Sequence, residues 1–306
     1  MLALPALAAS MPPFTMLRLF RTLSLLPLGL LQAGGAMLGL LIYAAAPRYR
    51  RVLRDNLAQA GLGSRSVALA AAMEAGRMAG ELPFVWLRTG AGAAVRRVRV
   101  QGREAVEQAW REGRGVLYLT PHLGCFEVAA QVAARWGPIT VLYRPPHKAW
   151  LNVLADARLR ENLRAAPASV AGMRPLLRAL RNGEAVGMLP DQAPSAGEGV
   201  WAPFFGRPAY TMTLPARLAQ LTGARIVFAV AERLPRGAGY RLSLHALSAP
   251  LPDDAQQAAT LINGEIERLV RTCPRQYLWG YNRYKHPAAA PLPPGARGVA
   301  GGEASS

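Results

Sequence analysis

The chain predicts an α/β fold, with a mixed central sheet flanked by helices and a hydrophobic anchor helix ahead of it. Three observations carry that prediction. Short apolar runs alternate with stretches of about 10–15 residues whose apolar positions repeat at helical spacing, the order of a layered α/β domain. Glycines close several of the helical stretches, as at 61–63, 113 and 183. Residues 22–47 (TLSLLPLGLLQAGGAMLGLLIYAAAP) carry no charge, and that run can fill a hydrocarbon core, which takes about 20 apolar residues.

Taken in order, a lead at residues 1–21 precedes the anchor at 22–47. Arg18 and Arg21 flank the run on one side and Arg48, Arg50, Arg51 and Arg54 on the other. The heavier positive flank follows the run, which puts the rest of the chain on the cytoplasmic side. A cleaved signal peptide is disfavoured, because the run is long for one and begins some 20 residues in. Pro27 and the glycines weaken the helix, so a tilted or monotopic insertion stands beside a spanning one. The main domain, 48–287, opens with two amphipathic helices broken at 61–63. Residues 96–102 alternate as a strand, and 103–113 form a short helix. GVLYLT (115–120) is a buried strand, a helix runs on from Glu127, and ITVLYRP (139–145) is another strand. Residues 148–164 read as a basic helix, and 173–183 as a helix leading into the strand EAVGMLP. A Gly-, Pro- and Ser-rich loop then leads to WAPFFGRPAYT (201–211). A helix at 213–223, strands at 224–233 and 239–247, and a helix at 254–271 complete the domain. The tail, 288–306, is rich in Pro, Gly, Ala and Ser and is expected to be disordered.

Composition narrows the partners. Of 306 residues 51% are hydrophobic, yet 36 basic residues face 18 acidic ones, for a net charge of +18. Lys148 and Lys285 are the only lysines; the remaining basic residues are arginines. Such an excess favours an anionic partner. Nucleic acid is disfavoured, since the arginines are dispersed, no recognised binding motif occurs, and an anchor precedes the domain. Two cysteines, Cys125 and Cys273, are too few for a disulfide framework, and four scattered histidines give a metal site little support.

The stretch TPHLGCFEVAA (120–130) holds the candidate chemistry. A strand ending at His122, a turn at Gly124 and a carboxylate on the first turn of the next helix would let Glu127 face back. Glu127 could then fix one imidazole nitrogen and leave the other as a general base. With no serine at hand, that base would act directly on a substrate hydroxyl. Spacing alone also fits a packed histidine beside a solvated glutamate, or a Cys125–His122 thiol nucleophile.

His-x4-Glu after a buried strand resembles the signature of the glycerolipid acyltransferases. The ordered pieces TPHLGCFE, YRP (143–145), RLR (158–160), LPDQ (189–192), APFFGRPAYT (202–211) and QYLWGYNRYKHP (276–287), behind an anchor, resemble one branch, the bacterial lipid A biosynthesis acyltransferases of lauroyl/myristoyl type. The resemblance implies a glycerolipid acyltransferase-like fold and a fatty acyl transfer. The donor would be acyl carrier protein or acyl-coenzyme A, the acceptor a hydroxyl of a lipid A precursor, and the place the cytoplasmic face of the inner membrane. It assigns catalysis to His122 and Glu127. Substrate contacts would fall to Arg144, Arg158, Arg160, Asp191, Gln192, Phe204, Phe205, Gly206 and Thr211. The arginines would suit a phosphate, Asp191 would hold the site or an arginine, and the PFFG segment would shape an apolar wall. Arg283 and Lys285 match a closing basic motif that could touch membrane. The thioester donor carries the activation energy, so no metal or redox cofactor is implied. Cys125, Ala193 and Asn282 depart from the family's pattern and bear on the acceptor lipid, for which a lysophospholipid or ornithine lipid is the alternative. A non-catalytic basic membrane protein is the reading from another class.

Overall fold

The computed structural model describes residues 13–88, 93–143 and 161–294. Five helices come first: α1 (Pro13–Ser24), α2 (Leu28–Ala45), α3 (Pro47–Gln59), α4 (Arg65–Gly80) and α5 (Leu82–Leu87). The α/β part follows as β1 (Val98–Gln101), α6 (Glu104–Arg111), β2 (Val116–Leu119), α7 (Phe126–Ala133), β3 (Ile139–Tyr143), β4 (Leu163–Pro167), α8 (Val170–Arg181) and β5 (Ala185–Met188). A hairpin, β6 (Gly199–Phe204) and β7 (Arg207–Met212), precedes α9 (Leu214–Thr222), β8 (Arg225–Arg233), β9 (Tyr240–Ala246) and α10 (Ala255–Thr272).

Seven strands form one sheet in the order β1-β9-β8-β2-β5-β3-β4, and β6–β7 stands apart as a two-stranded antiparallel hairpin. Every pair in the large sheet is parallel except β8–β9, so the mixed sheet expected from the sequence is what the chain forms. All four residues of β2 and of β5 are buried, as strands covered by helices on both faces must be. Alternate residues of β2 serve different layers. Leu117 and Leu119 pack with α3, α4, α8, α9 and α10, whereas Val116 and Tyr118 pack with α5, α6 and α7.

Two segments differ from the expected elements. The stretch read as a basic helix to residue 164 lies largely outside the described residues, and its end is β4, an edge strand pairing Leu163 with Ile139. The uncharged run is not one helix. Pro27, which has no N–H to donate, sits at the N-cap of α2 and separates it from α1. Arg88 Nη1 clamps the turn, donating to the carbonyls of Ser24, Leu25 and Leu26 at 3.0–3.1 Å.

Helix α2 lies against α4 at backbone distance. A Cβ added at Gly35 or Gly39 would collide with the carbonyls of Gly76 or Ala72, so only glycine permits the approach. Between these helices and β8 lies a buried ion network. Arg233 pairs with Glu81 at 2.8 Å and Glu74 at 2.7 Å, and Gln32 of α2 and the Tyr240 hydroxyl both donate to Glu81. Burial alone would pull the Arg233 guanidinium down, but the facing carboxylates more than offset it and hold it raised.

The tail does not start free. Trp201 Nε1 donates to Pro291 O at 2.8 Å, His286 stacks on Trp201, and Ala290 is buried against Trp201 and Tyr210.

Candidate functional site

Chain reversal after β2 builds the site. Gly124 takes φ 64°, and a Cβ there would collide with Ala231 O, so the loop can press against β8 only with glycine. Backbone bonds tie it down on two sides: Cys125 N donates to Ala231 O at 2.8 Å and Gly124 N to Gln276 O at 3.1 Å. His122 O accepts from Leu278 N at 3.0 Å. The His122 side chain, 15% exposed, is thereby held at the carboxyl end of the parallel strands.

The partner that orients His122 is Asp191, at the end of β5. Asp191 Oδ1 lies 2.8 Å from Nδ1, and Oδ2 accepts from the His122 backbone N–H at 2.9 Å. Burial, at 2% exposure, pushes the Asp191 carboxyl up. The His122 charge and hydrogen bonds outweigh that effect and hold it below the ordinary carboxylate range. A carboxylate accepts only, so Nδ1 is the protonated nitrogen facing it, and in the neutral ring the lone pair sits on Nε2. There the Gln192 amide nitrogen lies at 3.1 Å.

Glu127 was the expected partner. Its Oε2 accepts from Trp86 Nε1 at 3.1 Å, on the side of α7 that faces α5, while Asp191 holds the ring nitrogen. Cys125 is no nucleophile: it is 1% exposed, and burial with the neighbouring Glu81 charge drives its thiol well above the ordinary value.

Two cavities meet beside the imidazole. One, of about 520 Å³, is bordered by His122 and Gln192, with Arg217 and Glu198 at its polar side. The other, of about 190 Å³, runs between α7 and the sheet past Glu127, Ala129, Ala133, Trp136, Ile139 and Leu242. Phe126, Leu142, Tyr143 and Leu189 border both. The second is larger than the ~150 Å³ at which a purely apolar cavity stays dry and accepts benzene. Tyr118, on its wall, is buried with its hydroxyl unpartnered.

Other expected contacts fall elsewhere. Phe204, Phe205, Gly206 and Thr211 border neither cavity. They belong to the β6–β7 hairpin, where both phenylalanines sit in the main core beside Tyr277 and Trp279. Thr211 Oγ1 accepts from Arg283 Nη2 at 2.7 Å, and Arg283, 2% exposed, cannot touch a membrane. Lys285 is exposed, over the Tyr281 ring. Arg144, Arg158 and Arg160 lie outside the described residues. Reading the sequence missed Trp86, which holds Glu127, and Arg217, which is exposed and forms no ion pair among the described residues. Among the described residues no three His, Cys, Asp or Glu side chains converge as metal ligands.

A mixed α/β sheet thus carries an Asp-oriented histidine at its carboxyl edge, beside a largely apolar cavity. The family model for bacterial lipid A biosynthesis acyltransferases matches residues 12–286, and the chain belongs to that family. Among curated relatives, the lipid A biosynthesis palmitoleoyltransferase of Escherichia coli K12 is 30% identical over 188 residues, covering 61% of each chain. The lauroyltransferase of the same organism is 31% identical over 191 residues, again 61% of each. Its myristoyltransferase is 28% identical over 193 residues, 60% of this chain and 57% of the relative. The matched region thus spans about three-fifths of the length of these relatives.

Proposed function

We propose that the chain is a membrane-associated O-acyltransferase that moves a fatty acyl group from a thioester, carried by acyl carrier protein or coenzyme A, to a hydroxyl of a lipid A precursor. The observation that carries this reading is the Nε2 lone pair of His122, aimed by Asp191, at the junction of an apolar cavity and a wider polar one. Nε2 takes the proton of the acceptor hydroxyl as its oxygen attacks the thioester carbonyl. The C–S bond breaks, and the leaving thiolate recovers the proton from the imidazolium. Gln192 yields its place at Nε2 to the acceptor, and backbone or arginine donors stabilise the oxyanion. Glu127, held by Trp86, lines the cavity that would take the acyl chain. Arg217, at the wider cavity, suits a phosphate of the acceptor, as would Arg144, Arg158 and Arg160. The thioester supplies the driving force, so the reading calls for no resident metal or redox group. The relatives' names specify palmitoleoyl, lauroyl and myristoyl chains, so the chain length here depends on this cavity rather than on likeness. The positive flank after residue 47 supports the cytoplasmic face of the inner membrane.

The test is transfer by purified protein from an acyl thioester to a lipid A precursor, read by mass spectrometry, with His122→Ala beside it. One added acyl chain, absent with His122→Ala at unchanged fold, is expected. Transfer to a lysophospholipid or ornithine lipid alone would keep the chemistry and overturn the acceptor. Near-normal turnover by His122→Ala would refute the mechanism.

A further inference from the structure

We propose that α2 does not cross the membrane but docks in its plane, presenting to an anionic lipid bilayer its exposed face and a cleft that opens along its first turns. This concerns attachment alone and stands or falls apart from the acyl-transfer chemistry.

One side of α2 is committed to the protein. Leu28, Leu31, Gln32, Gly35, Ala36 and Gly39 are buried, the glycines at backbone contact with α4. Gln32 Nε2 donates to Glu81 Oε2 at 2.9 Å inside the Arg233 network. Lifting α2 away as a separate span would orphan that amide and break the glycine contact. The clamp of Arg88 on three carbonyls of the α1–α2 turn resists straightening the two helices into one.

The opposite side has nothing to hold it in water. Leu30, Met37 and Leu41 are 61%, 68% and 64% exposed, and Leu25 extends the stripe at the turn with 66%. Ala33, Gly34, Leu38, Ala44 and Ala45 complete the exposed positions of the helix, and none carries a charge or a polar side chain. At 1.5 Å per residue the stripe runs roughly 27 Å. Exposed apolar surface of that continuity marks a lipid or protein interface.

Charge selects the occupant. A cleft of about 660 Å³ is lined by Gly29 and Ala33 of α2 and by Arg236 and Arg275. Gly237 and Gly29 approach so closely that a Cβ on Gly237 would come 2.6 Å from Gly29 N, and this fixes Arg236 beside the start of the stripe. The acidic residues of the cleft are already engaged: Glu74 by Arg77 and Arg233, and Glu232 by Arg241. Arg236 and Arg275 are exposed and form no ion pair among the described residues. Neither do the exposed Arg18, Arg21, Arg48, Arg51 and Arg54 at the two ends of the stripe. An apolar stripe bracketed by unmatched arginines fits lipid tails edged by anionic headgroups. A second copy of a +18 chain would meet it with repulsion.

The experiment deposits full-length protein on vesicles of phosphatidylcholine alone or mixed equally with phosphatidylglycerol, followed by sedimentation and an alkaline carbonate wash. Wild type binds the mixed vesicles and is released by the wash. The pair Arg236→Gln and Arg275→Gln weakens binding to mixed vesicles by about fivefold per arginine, roughly 25-fold together, and leaves binding to phosphatidylcholine unchanged. The pair Leu30→Glu and Leu41→Glu, on exposed positions that do not endanger folding, lowers binding to both by at least about tenfold. Unfolding temperatures confirm that all variants are folded. Resistance of wild type to the alkaline wash would mean a spanning helix and overturn the proposal. So would binding indifferent to both pairs, or a dimer that Leu30→Glu and Leu41→Glu dissociate with no vesicle binding at all.

Discussion

Asp191→Asn separates the two carboxylates near His122, because it changes one atom and only one of two hydrogen bonds. The substituted amide would keep an oxygen for the His122 backbone N–H, now served at 2.9 Å. Its NH2 would face Nδ1, where the carboxylate now stands at 2.8 Å. A donor there forces Nδ1 to accept, so the ring proton moves to Nε2 and the lone pair leaves the nitrogen at the cavity. Losing a positioned base costs about 10²–10⁴ in rate, or roughly 3–5.5 kcal/mol of barrier. Losing a charge-assisted bond at a group only 2% exposed costs about 1.5–3 kcal/mol of stability. Glu127→Gln is the control, since its carbonyl can still accept from Trp86 Nε1. The assay is kcat/KM for acyl transfer, paired with ¹⁵N NMR of His122 in the neutral state. Wild type and Glu127→Gln show the Nδ1–H tautomer, and Asp191→Asn the Nε2–H tautomer with the large rate loss. If Asp191→Asn keeps wild-type rate and tautomer while Glu127→Gln changes both, the assignment of Asp191 as the orienting carboxylate is wrong.

Other outcomes follow from the same geometry. Ala133→Leu, placed in the apolar cavity, shifts the preferred donor to a shorter acyl chain in a competition between thioesters, with little change in turnover of the shortest. Tyr118→Phe removes a buried hydroxyl that has no partner and raises stability by about 1 kcal/mol in urea titration. Arg283→Met strips donors from Tyr210 O and Thr211 Oγ1 and lowers stability by roughly 3 kcal/mol, while vesicle binding of the folded fraction is unchanged. Because Asp191 is held below the ordinary carboxylate range, its contribution is fully present above the free-Asp value of about 3.9. That contribution disappears as pH falls through the folded value, so Asp191→Asn flattens this acid limb in denaturation measured against pH.

Strands β2 and β8 were legible because burial on both faces leaves a short continuous apolar run, here bounded by Gly115 and Pro121 and by Gly223 and Pro235. β4 was not. An edge strand exposes Arg164 and Ala165, and its polar residues merged with the arginine-rich stretch before it. His122 could be found because a turn glycine follows a buried strand, which is local information. Its partner could not, because Asp191 lies 69 residues away and the contact exists only once β5 pairs with β2. The Ala129, Ala130 and Ala133 run was a readable signal for a cavity, since small side chains on one helix face leave space beside a sheet. Arg283 misled in the opposite direction. Charge reads as surface, yet its guanidinium is buried and bonded to the β6–β7 hairpin backbone and to Thr211.

The buried Arg233 network joins two features that sequence distance keeps apart. Through Glu81 it reaches Gln32 on α2, the helix whose outer face is apolar. Gln276 Oε1 accepts from the Arg233 backbone N–H at 2.8 Å, and its Nε2 donates back to Arg233 O at 2.9 Å. The backbone carbonyl of that same Gln276 holds Gly124, in the loop that carries His122. On its other side α1 packs against Trp86, which holds Glu127. The helices at the exposed apolar face therefore touch the candidate site by two routes of direct contacts, one behind His122 and one beside Glu127. Buried charges are costly unless every partner is in place, so the network requires α2 to be seated for the His122 loop to keep its support. Seating of α2 on the protein and support of the His122 loop are thereby carried by one continuous set of contacts.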